Sequence, residues 1–193
     1  MTGSEAATSS PVTRPMRLKV VALIVIVVGI ALDLGTKAWM GDLLALDPDS
    51  AGPFGRIELI EGVFALEGTY NPGVTFGLAQ GQTELILAFT FLATAVLGAW
   101  LFLTKRRNWL LHVALGMVLA GALGNLWDRL QWHKVRDFFL FYLGDPAAPS
   151  FRWPNFNVAD SMIVVGVGLI LLDELFLSRW RARREAVRGT TAT

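Results

Sequence analysis

The chain has 193 residues, 53% of them hydrophobic and 17% charged, with a mean hydropathy of +0.50. That proportion of apolar surface exceeds what a soluble domain of this length hides, and a formal net charge of +1 gives no sign of a nucleic-acid partner. The absence of cysteine excludes a thiol nucleophile, a disulfide framework and thiolate metal sites together.

In chain order, a Ser/Thr-rich leader at 1–15 reads as disordered and gives way to an apolar run at 18–40. Arg14, Arg17 and Lys19 precede this run, but no small-residue cleavage site follows it, so it is expected to be retained as a span and not removed as a signal peptide. Asp33 lies roughly 20 Å beyond Lys19 at ~1.5 Å per residue. Lys37 follows one turn later, on the same face, where the two charges can pair and lower each other's cost at that depth. Such a pair either anchors the helix or serves a site.

The loop at 41–82 contains RIELIEGVFALEG at 56–68, whose period-two alternation between glycines predicts a small sheet. Apolar runs at 83–104 and 110–127 follow, separated by a tight basic link of Lys105, Arg106 and Arg107. The second of these runs ends in GNLWDRL at 124–130, an expensive polar cluster for a span. Gly121, Gly124, Asn125 and Asp128 share one helical face there, and the small residues predict close approach of other helices. Arg129, which stays cationic and transfers no protons, reads with Asp128 as a structural clamp.

The loop at 128–156 is rich in aromatics, among them Trp132, Phe138, Phe139, Phe141, Tyr142 and Trp153, and is expected to dip into the headgroup level. It holds Asp137, hemmed in by Phe138 and Phe139, and Asp145 in a Pro-containing turn that reads as solvated. The last apolar run, 157–177, opens with FNVADSMIVVG. Asn157 suits an N-cap, and Asp160 three residues on has the spacing of a capping box, so Asp160 has a structural reading ready-made. It also has a chemical one: two carboxyl groups brought together in a low dielectric do not both ionise cheaply, and such a pair with Asp137 activates water. Asp173 and Glu174 read as a solvated helix end beside the Arg-rich tail at 179–193.

Each of the four runs approaches the ~20 residues needed to cross a bilayer. All the basic clusters fall on one side of a four-span arrangement, which by the positive-inside rule is the cytoplasmic side. The expected fold is therefore a membrane all-α protein, a four-transmembrane-helix bundle at 16–178 with both termini cytoplasmic and a small extracytoplasmic β-rich loop domain. His112 and His133 lack zinc-site spacing, and no G-x-S-x-G is present, so neither metal nor serine chemistry is expected.

Five stretches, DLGTK at 33–37, NPGVTFG at 71–77, GALGNLWDR at 121–129, VRDFF at 135–139 and FNVADS at 156–161, together resemble the lipoprotein signal peptidases, the bacterial signal peptidase II family of membrane aspartyl proteases. The resemblance covers about residues 18 to 178. It implies a catalytic dyad of Asp137 and Asp160, with substrate-binding or supporting roles for Asp33, Lys37, Asn71, Gly73, Gly121, Asn125, Asp128, Arg129, Asn157 and Ala159. It further implies a monomer of the bacterial cytoplasmic membrane, active at the outer face without metal or cofactor. That enzyme cleaves diacylglyceryl-modified prolipoproteins before the lipidated cysteine, contacts membrane lipids and is inhibited by the cyclic peptide globomycin. Four positions depart from the family pattern: Leu34 where Gln is frequent, Thr75 where a smaller residue is usual, Trp127 for an aliphatic, and Arg136 for an apolar residue before the acid. Two other classes fit less well. A proton-coupled transporter would carry polar groups near mid-membrane, and a noncatalytic assembly factor would tolerate loss of either Asp137 or Asp160.

Overall fold

The computed structural model describes residues 14–52, 54–73 and 83–177. Residues 74–77 of the second family block, Thr75 among them, lie outside this range, as do most of the leader and the basic tail.

The described chain runs α1 (Arg14–Leu43), β1 (Arg56–Ile60), β2 (Phe64–Asn71), α2 (Thr83–Leu103), α3 (Trp109–Trp132), β3 (Val135–Asp145), β4 (Ala148–Arg152) and α4 (Val158–Leu172), the last continuing as a π-helical turn at Asp173–Leu177. Three helical stretches among the described residues, Met16–Leu43, Glu84–Leu103 and Trp109–Trp132, are long and apolar enough to cross a membrane. The first and third extend the expected spans by a few residues, most at the end of α3, and the second matches its expected span to within one residue at each end. There the polar cluster that closes the apolar run remains helical to Trp132.

Helix α3 is the axis of the bundle and packs against the other three. Small residues make this possible. A Cβ added at Gly29 in α1 would come within 2.6 Å of Ala120 Cβ, and one at Gly166 in α4 within 2.8 Å of the Ala114 carbonyl. Ala22, Leu101, Leu111, Leu115 and Leu119 fill the space between helices. Leu23, Val27, Phe89, Leu92, Val164 and similar side chains project outward, as expected where lipid replaces water.

At one end of the bundle lies an antiparallel sheet in the order β1-β2-β3-β4. The alternating stretch at 56–68 does form strands, but half of the sheet comes from the aromatic loop, which the sequence pattern assigned to the headgroup level. Phe138 is wholly buried against Met40 and Leu44 at the end of α1 and Leu66 of β2, and Tyr142 is buried with Ala65 and Leu140. Phe141, Phe151 and Trp153 remain exposed. Pairing of β2 with β3 sets Thr69 opposite Asp137, Tyr70 opposite Arg136 and Asn71 opposite Val135, after a register shift between Leu66 and Thr69. Entry to β3 is abrupt because His133 adopts a left-handed conformation (φ 58°) and its N–H closes onto the Arg129 carbonyl, reversing the chain directly out of α3. Exit from the sheet is equally tight. The Phe156 carbonyl accepts from the N–H groups of Phe138 and Phe139, so Asn157 starts α4 beside the strand that carries Asp137.

Candidate active site

The charged pair of the first helix sits at the sheet end. Lys37 Nζ lies 2.8 Å from Asp33 Oδ2, both side chains are fully buried, and the ammonium also donates to Asn125 Oδ1 at 2.9 Å. The other Asp33 oxygen accepts from the Ala159 N–H at 2.9 Å, satisfying an otherwise orphaned donor in the first turn of α4. This is possible only because Gly124 has no side chain: an added Cβ would collide with the Asp33 carboxylate. A Cβ at Gly121 would similarly collide with the Ala159 carbonyl. The glycine face of α3 therefore brings α1 and α4 together around a buried ion pair.

Asn157 caps α4 with the capping box expected from its spacing. Its Oδ1 accepts from the Asp160 N–H at 2.9 Å, and its own N–H donates to Asp160 Oδ2 at 3.2 Å. The cap leaves Asp160 Oδ1 to accept from Asn125 Nδ2 at 2.7 Å. The Asn157 amide points the other way, donating to Asp137 Oδ1 at 2.8 Å. Asp137 Oδ2 accepts from Asn71 Nδ2 at 3.1 Å, and Asn71 Oδ1 in turn holds the Gly73 N–H at 3.0 Å. Burial, and next the Asp160 carboxylate, push the Asp137 carboxyl up to about 8, against a partial pull downward from Asn71, Lys37 and Asn157.

Arg129 and Asp128 do not clamp each other. Arg129 Nη2 donates to the Gly73 carbonyl at 2.9 Å. Asp128 instead accepts from Arg136, through Nη2 at 2.8 Å and Nε at 3.1 Å, and from the Arg136 backbone N–H at 3.1 Å. The sequence pattern marked Arg136 only as a departure from the family. The signal it carried is positional, since a helix that ends and reverses within a few residues brings the positions on either side of the reversal face to face.

Asn71, Asn125, Arg129, Asp137 and Asp160 line one cavity of about 300 Å³ whose remaining wall is apolar apart from Thr90 and includes Phe89, Ala93 and Leu97 of α2. Every residue named from the family blocks within the described range lies at this end of the bundle. A second hollow of about 670 Å³ lies on the sheet, between Arg56, Tyr70 and Lys134.

At the opposite end, the structure corrects one expectation. Asp173 is 1% exposed and not solvated, and it accepts from the Asn108 amide in the link between α2 and α3. Glu174 next to it pairs with Arg106.

Carboxyl groups held by amides at the mouth of an apolar-walled cavity, within a bundle of membrane-length helices, place the protein among membrane enzymes. Two solved structures described as bacterial membrane enzymes share the fold. One superposes with a TM-score of 0.66 at 24% identity, covering 80% of this chain and 87% of its own. The other has a TM-score of 0.63 at 25% identity, with coverage of 81% and 93%. The family is narrower still. A family model described as Signal peptidase (SPase) II matches residues 25–176. The lipoprotein signal peptidase of Symbiobacterium thermophilum is 35% identical over 158 residues, covering 82% of this chain and 96% of its own, and that of Methylocella silvestris is 31% identical over 182 residues, covering 92% and 99%. The chain belongs to the signal peptidase II family and is, with it, a peptide-bond hydrolase.

Proposed function

We propose that Asp137 and Asp160 are the catalytic dyad of an aspartyl endopeptidase that removes signal peptides from prolipoproteins, cutting on the N-terminal side of a cysteine that carries diacylglycerol. The observation that carries this reading is Asn157, one residue whose backbone N–H serves Asp160 and whose amide serves Asp137. Both carboxyl groups are thereby tied to one spot on the cavity wall. Burial and the neighbouring Asp160 carboxylate raise the Asp137 carboxyl, which supports a pair that shares one proton between its two acids.

In the forward step the ionised carboxyl takes a proton from water as the water oxygen attacks the scissile carbonyl. The protonated carboxyl donates to the carbonyl oxygen as negative charge develops there. Collapse of the tetrahedral species breaks the C–N bond: the proton taken from water passes to the leaving amine, and the proton given to the carbonyl oxygen returns to the dyad as C=O re-forms, so the dyad ends with the single proton it began with. Lys37 and Arg129 compensate negative charge beneath the pair, and Asn71 and Gly73 border the cleft on the strand side. The apolar wall from α2 suits the substrate's acyl chains, which contribute ~0.8 kcal/mol per buried methylene.

The same reading gives the peptidase domain four spans. α4 with its π-helical turn is the fourth, both termini are cytoplasmic, and the site lies at the outer face of the bacterial cytoplasmic membrane. Supporting this, Arg17, Lys19 and Arg106 lie at the end opposite the sheet, where positive charge belongs on the cytoplasmic side. The protein works as a monomer among membrane lipids, and globomycin-type cyclic peptides compete for the cavity.

The test is cleavage of a diacylglyceryl-modified prolipoprotein in bilayers by the parent, Asp137→Asn and Asp160→Asn, each shown to fold by its thermal transition. Each substitution is expected to reduce cleavage at least 1,000-fold, on the order of the loss seen when an acid–base group is removed. Near-parental cleavage by either variant removes that residue from the dyad.

A further inference from the structure

Arg136 is the residue that joins the elements carrying the two acids. Its guanidinium grips Asp128 side-on, Nη2 to Oδ1 and Nε to Oδ2, an arrangement that a planar fork makes and an ammonium does not. Its plane lies 4.3 Å over the Trp132 ring, on the last turn of the same helix. The backbone is engaged on both sides, with the N–H on Asp128 and the carbonyl accepting from the Asn157 amide at 3.2 Å. One residue therefore fixes the end of α3, the entry of β3 and the cap of α4, and the next position in the chain is Asp137.

Charge leads to the same residue. The charged groups of the hydrogen-bond network around the two acids are four carboxyl groups, Asp33, Asp128, Asp137 and Asp160, and three cations, Lys37, Arg129 and Arg136. Tyr70, opposite Arg136 in the sheet, is occupied by the Lys134 ammonium 4.5 Å from its ring. A dyad holding one proton makes the four acids and three cations neutral, which is the condition for keeping them out of water. Lys37 Nζ is 3.6 Å from Asp128 Oδ2 but donates to Asp33 and Asn125. Arg136 satisfies Asp128 and leaves the ammonium for the centre of the site.

We infer that Arg136 is a positioning residue for this chain's peptidase, locking β3 to α3 through Asp128 and supplying the third cation that balances the site. The inference rests on the Asp137 and Asp160 reading. Arg136→Gln retains length and a donor but removes the charge and the fork. It is expected to lower kcat by about 10- to 100-fold with KM within about threefold, the scale of a misplaced catalytic group. Both limbs of its pH–rate profile should move to higher pH by on the order of half a unit, because a lost positive charge makes both dyad ionisations harder. Arg136→Lys keeps the charge and loses the fork, so its limbs should stay at the parental pH while kcat falls several-fold.

Superposable pH profiles for parent and Gln variant overturn the charge role, and full parental kcat in the Lys variant overturns the fork. Should the Gln variant fail to fold, the Lys variant decides on kcat alone. Asp137→Asn and Asp160→Asn are run in parallel. If either cleaves, the dyad reading fails; if neither cleaves and both Arg136 variants match the parent, only the positioning inference fails.

Discussion

The two ends of the bundle each bury an aspartate against an asparagine from another element, and they differ in whether one asparagine serves two acids. At the end away from the sheet, Asp173 accepts from Asn108, while His112 hydrogen-bonds the Asn108 carbonyl through Nδ1 at 2.7 Å and its Nε2 has no partner among the described residues. That arrangement ties the α2–α3 link to the π-helical turn of α4 and borders neither cavity described here. At the sheet end, amides are placed between acids: Asn157 touches Asp137 and Asp160, and Asn125 touches Asp160 and Lys37. Groups arranged so that carboxyls face one another across shared donors raise the energy of full ionisation, which is what the proposed proton-transferring dyad requires.

The largest expected effect at the sheet end comes from Lys37→Met. It leaves the Asp33 carboxylate buried without its cation and deprives Asn125 Oδ1 of a donor, and removing one partner of a buried pair costs about 3–5 kcal/mol. Thermal unfolding in detergent should show this loss, and cleavage should disappear with it, because Asn125 is also what holds Asp160. A Met variant that is as stable as the parent would mean the pair is solvated and the comparison between the two ends is wrong.

Proton uptake offers the next largest effect. Folded Asp137 keeps its proton up to about pH 8, whereas an unfolded aspartate releases it near 3.8, so across that window the native state holds the extra proton. Stability from this group is full below about pH 4 and is lost as pH rises through about 8. The difference in thermal midpoint between parent and Asp137→Asn should therefore change with pH. The parent is relatively favoured at pH 5 and relatively disfavoured at pH 9, and a difference independent of pH would show that burial does not hold the proton there.

Much of this architecture was legible in the sequence because the membrane removes alternatives. An apolar run of span length has few places to go, and α1, α2 and α3 begin and end within a few residues of where hydropathy puts them. The Asn157 and Asp160 box was legible because capping is local. What stayed hidden is nonlocal. The β2–β3 pairing that sets Asn71 beside Asp137 depends on a register shift between Leu66 and Thr69, which no periodicity announces. The strand pairing of the aromatic loop was hidden because Phe138, Leu140 and Tyr142 alternate inward, a pattern masked by the half-buried Phe139 and the exposed Phe141 between them. Asp173 was misread because neighbouring charge suggested solvent, whereas the π-helical turn rotates the acid toward Asn108.

The smallest expected effect separates the two ends most cleanly, because the same isosteric change is made at each. Asp173→Asn keeps the shape of a buried side chain and can still accept from Asn108, and the charge-assisted part of that hydrogen bond is worth about 0.5–1.5 kcal/mol. Cleavage per folded molecule and its pH profile should be those of the parent, since nothing at that end touches the cavity lined by Asp137 and Asp160. Asp137→Asn also keeps shape, yet it should abolish cleavage, because an amide neither takes a proton from water nor gives one to a carbonyl. If Asp173→Asn instead shifts the pH profile, the two ends are electrostatically coupled through α4, and the division of the bundle into a chemical end and a structural end does not hold.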